Sequence, residues 1–377
     1  MDIKEKIYRD LQMHLDKQPV GYPATKSGAE IRILKRLFTP EEARLAMYLS
    51  YKPETAIQVY GLAKGMEMSL RDIENMLDIM MRKGAIGHVE KEGTDYFHTI
   101  PFIVGMFEYQ LYNLTPEFLA DVQKFTTDKA FGLEFLNSEV PQMRTIPVGK
   151  SIPVNHYVTT YDNLTDIIRG TDGPIVMHEC ICRKIAGMKG DPCKKTSRLE
   201  TCMALGDMAR NSIRTGKGRV VSREEALDIA GQNESDGLVL QPSNTQKVDF
   251  VCACCGCCCG MLRVHKMLPK PVDFWSSDYH ASVNSENCTG CGVCAERCQV
   301  NALSLDDCLG IPTINLDRCI GCGNCVSSCP SAAISLLQKD KTIVPPMDTQ
   351  GLYDTIMANK KGRLGKIKLA ARLILKR

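Results

Sequence analysis

Residues 286–305 read ENCTGCGVCAERCQVNALSL, and residues 317–336 read DRCIGCGNCVSSCPSAAISL. The second stretch repeats the first at an offset of 31, and each carries C-x2-C-x2-C-x3-C. An internal duplication of this kind supplies eight thiols in two equivalent sets. All 19 cysteines of the 377-residue chain lie between Cys180 and Cys329, so thiol chemistry is confined to one part of it.

The flanking sequence narrows what those thiols do. The N-terminus, MDIKEKIYRDLQMHLDKQPVG, has no apolar h-region and no small-residue cleavage site. A cytoplasmic, reducing location is therefore expected, where metal ligation outranks disulfides. The longest apolar run, Ile100 to Phe107, is interrupted by Pro101 and Gly105 and falls short of the roughly 18–20 residues that span a bilayer. The net charge of +3 conceals an asymmetry: residues 359–377 hold eight Lys or Arg and no acid, and the rest carries 39 basic against 44 acidic residues, or −5. A mildly acidic body argues against general nucleic-acid affinity, which draws on clustered Lys and Arg.

The two runs resemble bacterial-type dicluster ferredoxins, in which the first three cysteines of one run and the last of the other hold each [4Fe-4S] cluster. The resemblance implies that Cys288, Cys291, Cys294 and Cys329 bind one cluster and that Cys319, Cys322, Cys325 and Cys298 bind the other. It also implies low-potential electron transfer. Two residues between cysteines make a tight turn that directs successive sulfurs at three corners of one cube. Gly290, Gly292, Gly321 and Gly323 would let backbone amides approach sulfide. Pro330 follows the last cysteine of the second run as the family pattern expects, whereas Gln299 stands at that place in the first. Structural zinc, the competing reading, uses paired C-x2-C knuckles rather than this triple spacing. Together with the cysteine-rich stretch upstream, the module resembles a group of long dicluster ferredoxin-like proteins from anaerobes.

Ten further cysteines precede the module. Cys180, Cys182, Cys193 and Cys202 follow C-x-C-x10-C-x8-C, enough to close one site, and Arg183, Lys184, Lys194 and Lys195 would partly offset thiolate charge. His178 is an outside candidate ligand; a histidine at a strand end is commonly just hydrogen-bonded. In VCACCGCCCG, Cys252, Cys254, Cys255, Cys257, Cys258 and Cys259 fall within eight residues. Neighbouring side chains diverge, so not all six sulfurs face one metal. The segment either completes the upstream site, holds its own cluster, or offers a redox-active dithiol. One or two further iron–sulfur clusters, or zinc, are the expected occupants of the ten. Cys308, alone between the two runs, is read as a non-ligand.

An α+β multidomain chain is expected. Residues 1–145 read as a winged-helix-like domain: Leu70, Ile73, Leu77 and Met80 recur at helical spacing between an N-cap at Ser69 and a C-cap at Gly84, followed by hairpin arms 86–90 and 96–100 around an EGTD turn. Arg71, Asp72, Glu74, Asn75 and Asp78 would face outward on that helix, and three acids there oppose duplex binding. Residues 146–284 read as a cysteine-rich α/β domain with strands at SIPVNHYV, PIVMHECICR and LVLQP, helices at DNLTDIIRG, SRLETCMALGDMARNSIRTG and EEALDIAGQNESDG, and a linker at PSNTQ. Residues 285–340 form the ferredoxin-like domain, and 341–377 a basic tail for which partner docking or a solvated helix is favoured over membrane-surface contact.

No G-x-G-x-x-G or G-x4-G-K-[ST] fingerprint and no Ser/His/Asp arrangement is present, so no catalytic residue is singled out. The leading expectation is an electron-transfer protein or subunit that relays electrons through [4Fe-4S] clusters to a partner oxidoreductase. The alternatives are a reductase whose active centre is the cysteine-rich segment, and a redox-responsive winged-helix regulator.

Overall fold

The structure, a computed structural model, describes residues 3–151, 160–306 and 310–375. The strand expected at SIPVNHYV and the isolated Cys308 lie outside the described residues, apart from Ser151. The chain divides into two compact units, one comprising Met1–Glu139 with Tyr353–Leu375 and the other Val140–Leu352. Both mix helices with small sheets.

In the first unit, helices α1 (Ile3–Asp16), α2 (Ala29–Leu37), α3 (Pro40–Ala46), α4 (Ala56–Leu62) and α5 (Leu70–Lys83) accompany a three-stranded sheet whose first strand lies between α3 and α4. Thr39, Thr55 and Ser69 each cap a helix through a reciprocal box with Glu42, Gln58 and Asp72, which satisfies backbone donors that the first turn leaves open. Gly84 ends α5 in the left-handed region, at φ 73°. Ile73, Leu77 and Met80 are fully buried, while Arg71, Asp72, Glu74 and Asn75 are exposed. Strands β1 (Glu54–Thr55), β2 (Gly87–Lys91) and β3 (Thr94–His98) pair antiparallel in the order β1-β3-β2. The hairpin turn is shorter than the EGTD reading: Glu92 and Gly93, at φ 51° and 74°, make it alone, and Thr94 and Asp95 belong to β3. Helices α6 (Pro116–Thr126) and α7 (Lys129–Phe135) close an aromatic core in which Phe125 packs against Tyr22, Phe102 and Phe131.

The basic tail contributes to this same unit. Helix Arg363–Leu375 buries Leu369, and Lys360 Nζ lies 3.0 Å from Glu134 Oε1, with Lys366 on the other oxygen of that buried carboxylate. Lys361 pairs with Glu139 at 3.2 Å. Three of the tail's cations thus meet acids within the unit. No helix among the described residues is long and apolar enough to cross a membrane.

The second unit is built on a five-stranded sheet of β4 (Ile175–Glu179), β5 (Glu200–Leu205), β6 (Arg219–Val221), β7 (Val239–Pro242) and β8 (Phe250–Cys254), in the order β6-β4-β5-β8-β7. Helices α8 (Leu164–Gly170), α9 (Ile181–Met188), α10 (Gly206–Arg214) and α11 (Arg223–Ser235) alternate with the strands, yet every pairing is antiparallel. Along β5, Met203 and Leu205 enter the main core with Ile229 and Leu240, and Ala204 turns the other way to meet Val176 and Ala209.

Three elements differ from their sequence reading. The SRLETCMALGDMARNSIRTG stretch is a strand and then a helix, because β5 is flanked by β4 and β8 and ladder pairing overrides the helix preference of Leu, Met and Ala. PIVMHECICR is a strand only to Glu179; Cys180 is the N-cap of α9. PSNTQ is no linker. It is the turn between β7 and β8, with Ser243, Asn244 and Thr245 buried and Ser243 donating its N–H to Phe250 O at 3.1 Å.

Past α12 (Gly260–Met267), strands β9 (Tyr279–Val283), β10 (Leu303–Leu305), β11 (Pro312–Ile314) and β12 (Ile334–Gln338) carry the duplicated runs. β9 and β10 belong to the first repeat and β11 and β12 to the second, but the pairs formed are β9 with β12 and β10 with β11. The repeats exchange strands, which folds the end of each run back upon the other.

Candidate iron–sulfur centres

Strand exchange sorts the eight cysteines of the module into two groups. A part-open cavity is lined by Cys288, Cys291, Cys294 and Cys329. A second is lined by Cys298, Cys319, Cys322 and Cys325. Each therefore takes three cysteines from one run and the fourth from the other. Two short helices, α13 (Val293–Arg297) and α14 (Asn324–Ser327), follow Gly292 and Gly323, both at φ 76°, a backbone region that an L side chain would strain.

The donor set suits a sulfur-rich cofactor. The N–H of Ala302 points at Cys298 Sγ and that of Ala333 at Cys329 Sγ, each at 3.3 Å, and these are equivalent positions of the repeat. Ala281 N–H approaches Cys319 Sγ at 3.4 Å. Such N–H···S contacts stabilise thiolate and tune cluster potential. Burial pushes the Cys322 thiol up to about 12 and raises Cys319 and Cys325, so an unpaired charge at the second cavity is unfavourable and a cation that shares it is favoured. The first group is nearer solvent: Cys291 is exposed and Cys288 and Cys329 are half-buried.

Gln299, the departure from the family pattern, occupies a different setting from its repeat equivalent. Pro330 is exposed, whereas Gln299 is 2% exposed. Its Oε1 accepts the N–H of Gly256 at 2.9 Å, and its Nε2 donates to Gly237 O at 3.0 Å. Gly256 has no room for a side chain, since a Cβ there would sit 2.3 Å from Gln299 O. The side chain following Cys298 thus ties the module to the cysteine-rich loop. Gln299→Ala orphans the buried Gly256 N–H and should cost about 2 kcal/mol. Anaerobic thermal melts of the metal-loaded chain should show a Tm lower by several degrees; an unchanged Tm would mean that the contact contributes nothing.

The ten upstream cysteines form two groups that do not follow sequence order. Cys193, Cys255, Cys257 and Cys258 have sulfurs all within 4.8 Å of one another, and the Cys193 contacts to Cys255 and Cys257 are 3.5 and 3.7 Å. This group could hold a metal ion or a further cluster. The N–H groups of Lys195 and Thr196 bring Cys193 down to about 7 against the opposing effect of burial. The remaining six, Cys180, Cys182, Cys202, Cys252, Cys254 and Cys259, meet each other instead. Strand alternation causes the split: on β8, Val251 and Ala253 enter the main core, so Cys252 and Cys254 project to the opposite side with Cys259. Cys255 and Cys258 return to the main-core side. Cys193 accordingly separates from Cys180, Cys182 and Cys202, with which its spacing had grouped it. His178 joins neither group; its Nε2 is hydrogen-bonded to Ser212 Oγ at 3.0 Å.

Comparison with known families agrees with this geometry. Residues 281–304 and 312–335 each match a family model described as a 4Fe-4S binding domain. Searches of curated proteins and of solved structures bring up no match. The chain carries a ferredoxin-like dicluster module over residues 281–335, a class of module that moves single electrons through [4Fe-4S] clusters.

Proposed function

We propose that this chain is a cytoplasmic electron-transfer protein, or the electron-transfer subunit of an oxidoreductase, that relays single electrons through two [4Fe-4S] clusters to a redox partner. The observation that carries the reading is the pair of cavities, each lined by three cysteines of one run and one of the other. Cys288, Cys291, Cys294 and Cys329 would hold the outer cluster, and Cys298, Cys319, Cys322 and Cys325 the inner one. The exposure of Cys291 favours the outer cluster as the point of exchange with a partner, because tunnelling falls off steeply with distance and a half-open ligand shell shortens it.

The first unit serves as the docking part. The hairpin that follows α5, completed to a three-stranded sheet by β1 ahead of α4, supports a winged-helix-like reading. The exposed acids Asp72 and Glu74 on α5, with the part-exposed Asp78, oppose phosphate, while α4 exposes Ile57, Tyr60 and Leu62. A protein partner fits that surface better than nucleic acid, and the regulator reading is disfavoured for the same reason. The ion pairs of Lys360, Lys361 and Lys366 leave less free charge in the tail for a membrane surface.

A second reading, a reductase with its own centre in the middle of the chain, is favoured by the ten upstream cysteines. In the four-cysteine group, the two edges from Cys193, 3.5 and 3.7 Å, approach the roughly 3.8 Å of a tetrahedron with metal–sulfur bonds of about 2.3 Å, and all four sulfurs lie within 4.8 Å of one another, a set that one zinc or one iron could draw together. Redox cycling tests the electron-transfer reading. The anaerobically purified protein should take up about two electrons in its module at low potential and release them to a one-electron acceptor through repeated cycles. Iron that is neither reducible nor reoxidisable would contradict it.

A further inference from the structure

The six upstream cysteines outside the four-cysteine group close a ring. Cys180 neighbours Cys182 and Cys202, Cys182 neighbours Cys259, Cys259 neighbours Cys254, Cys254 neighbours Cys252, and Cys252 returns to Cys202. These sulfurs come from separate parts of the fold: Cys202 from β5, Cys252 and Cys254 from β8, Cys182 from α9, and Cys180 and Cys259 from the N-caps of α9 and α12. Convergence from four elements on one closed ring, with all six thiols free, is not what sequence proximity produces.

We propose that this ring holds a polynuclear iron–sulfur cluster, a redox centre additional to the two of the ferredoxin-like module. The proposal rests on the reading that the chain binds iron–sulfur clusters and assigns a site to a further one. Six thiolates exceed the four that one tetrahedral ion accepts, so more than one metal is needed to engage them. Their surroundings are prepared for negative charge. Helices α9 and α12, eight residues each, have the ring members Cys180 and Cys259 as N-caps, which sets the positive end of each helix dipole beside the ring. Arg183 is 1% exposed and lies between the two groups, close to Cys180 and Cys202 of the ring and to Cys255 and Cys193 of the other; its Nη1 and Nη2 are held by Thr201 and Ala253 O, while its Nε has no hydrogen-bond partner within the protein. A buried guanidinium with an open donor calls for an anion beside it.

The ring is also continuous with the module. Cys254 and Cys259 share one apolar core with Cys294, Cys319 and Cys325, and Gln299, the residue after Cys298, accepts the N–H of Gly256, midway between Cys254 and Cys258. With clusters bound, the cysteines that share this core would let a single electron, supplied by an external low-potential redox protein, pass between the module and the ring, one centre being reoxidised as the next is reduced. No proton or bond change is required.

The test uses the full chain, purified anaerobically and reconstituted with ferrous iron and sulfide. Cys202→Ser combined with Cys252→Ser should remove at least two irons and a matching amount of acid-labile sulfide, while the reduced-state EPR of the module persists. Loss of no iron, or of one metal without sulfide, overturns the proposal. A parallel Cys291→Ser variant separates the two readings, because it should perturb the module and leave the ring's iron in place. Where the double variant does not fold, differential alkylation of the unmodified protein decides: the six thiols should resist iodoacetamide until a chelator is added, without reductant. Labelling before chelation, or only after reduction of disulfides, overturns the proposal.

Discussion

Cys298→Ala should abolish the same reduced-state EPR signal as Cys319→Ala and leave intact the signal that Cys288→Ala removes. The expectation follows from strand exchange. β10, which follows Cys298, pairs with β11 of the second repeat, and β12, which follows Cys329, pairs with β9 of the first. Each fourth cysteine is carried across the module by its strand, and Cys298 reaches the cavity of Cys319, Cys322 and Cys325. Charge contacts repeat the grouping: Cys322 is influenced by Cys298 and Cys319, and Cys294 by Cys291 and Cys329. Each variant should lose about half of the module's iron, four of about eight atoms. Were Cys298 and Cys288 to remove the same signal while Cys319 removed another, the runs would be independent sites and the crossed assignment would fail.

The module was legible in sequence because its information is local. Three cysteines two residues apart are set by the covalent chain, and the glycines between them reveal the turn. Gln299 was visible as a departure from the repeat, but its purpose was not, since the partner Gly256 lies 43 residues away. The upstream cysteines stood out in the sequence by their density, but their grouping did not. Cys193 was placed with Cys180, Cys182 and Cys202 because they are neighbours in the chain, whereas the fold joins it to Cys255, Cys257 and Cys258.

Two features of the chain explain that failure. Cys202 sits in a stretch whose Leu199, Met203, Ala204 and Leu205 favour a helix, and only its flanking strands make it β5, beside β8. The alternation of Cys252 and Cys254 with Val251 and Ala253 was the usable signal: period two separates the cysteines into opposite faces before any tertiary contact is known. In the first unit, the periodicity of α5 and both of its caps could be read directly, because caps are determined by residues within one turn. The two-residue hairpin turn was harder, since Glu92 adopts a positive φ that its side chain does not advertise.

Anaerobic determination of iron and acid-labile sulfide per chain is the most direct test of the two-cluster module. At least about eight of each are expected, and about twelve to sixteen when the upstream groups also hold clusters. Zinc in place of the excess iron would make the upstream groups structural and leave the module standing. A stoichiometry near four iron and four sulfide in the fully loaded protein would contradict the two-cluster assignment itself.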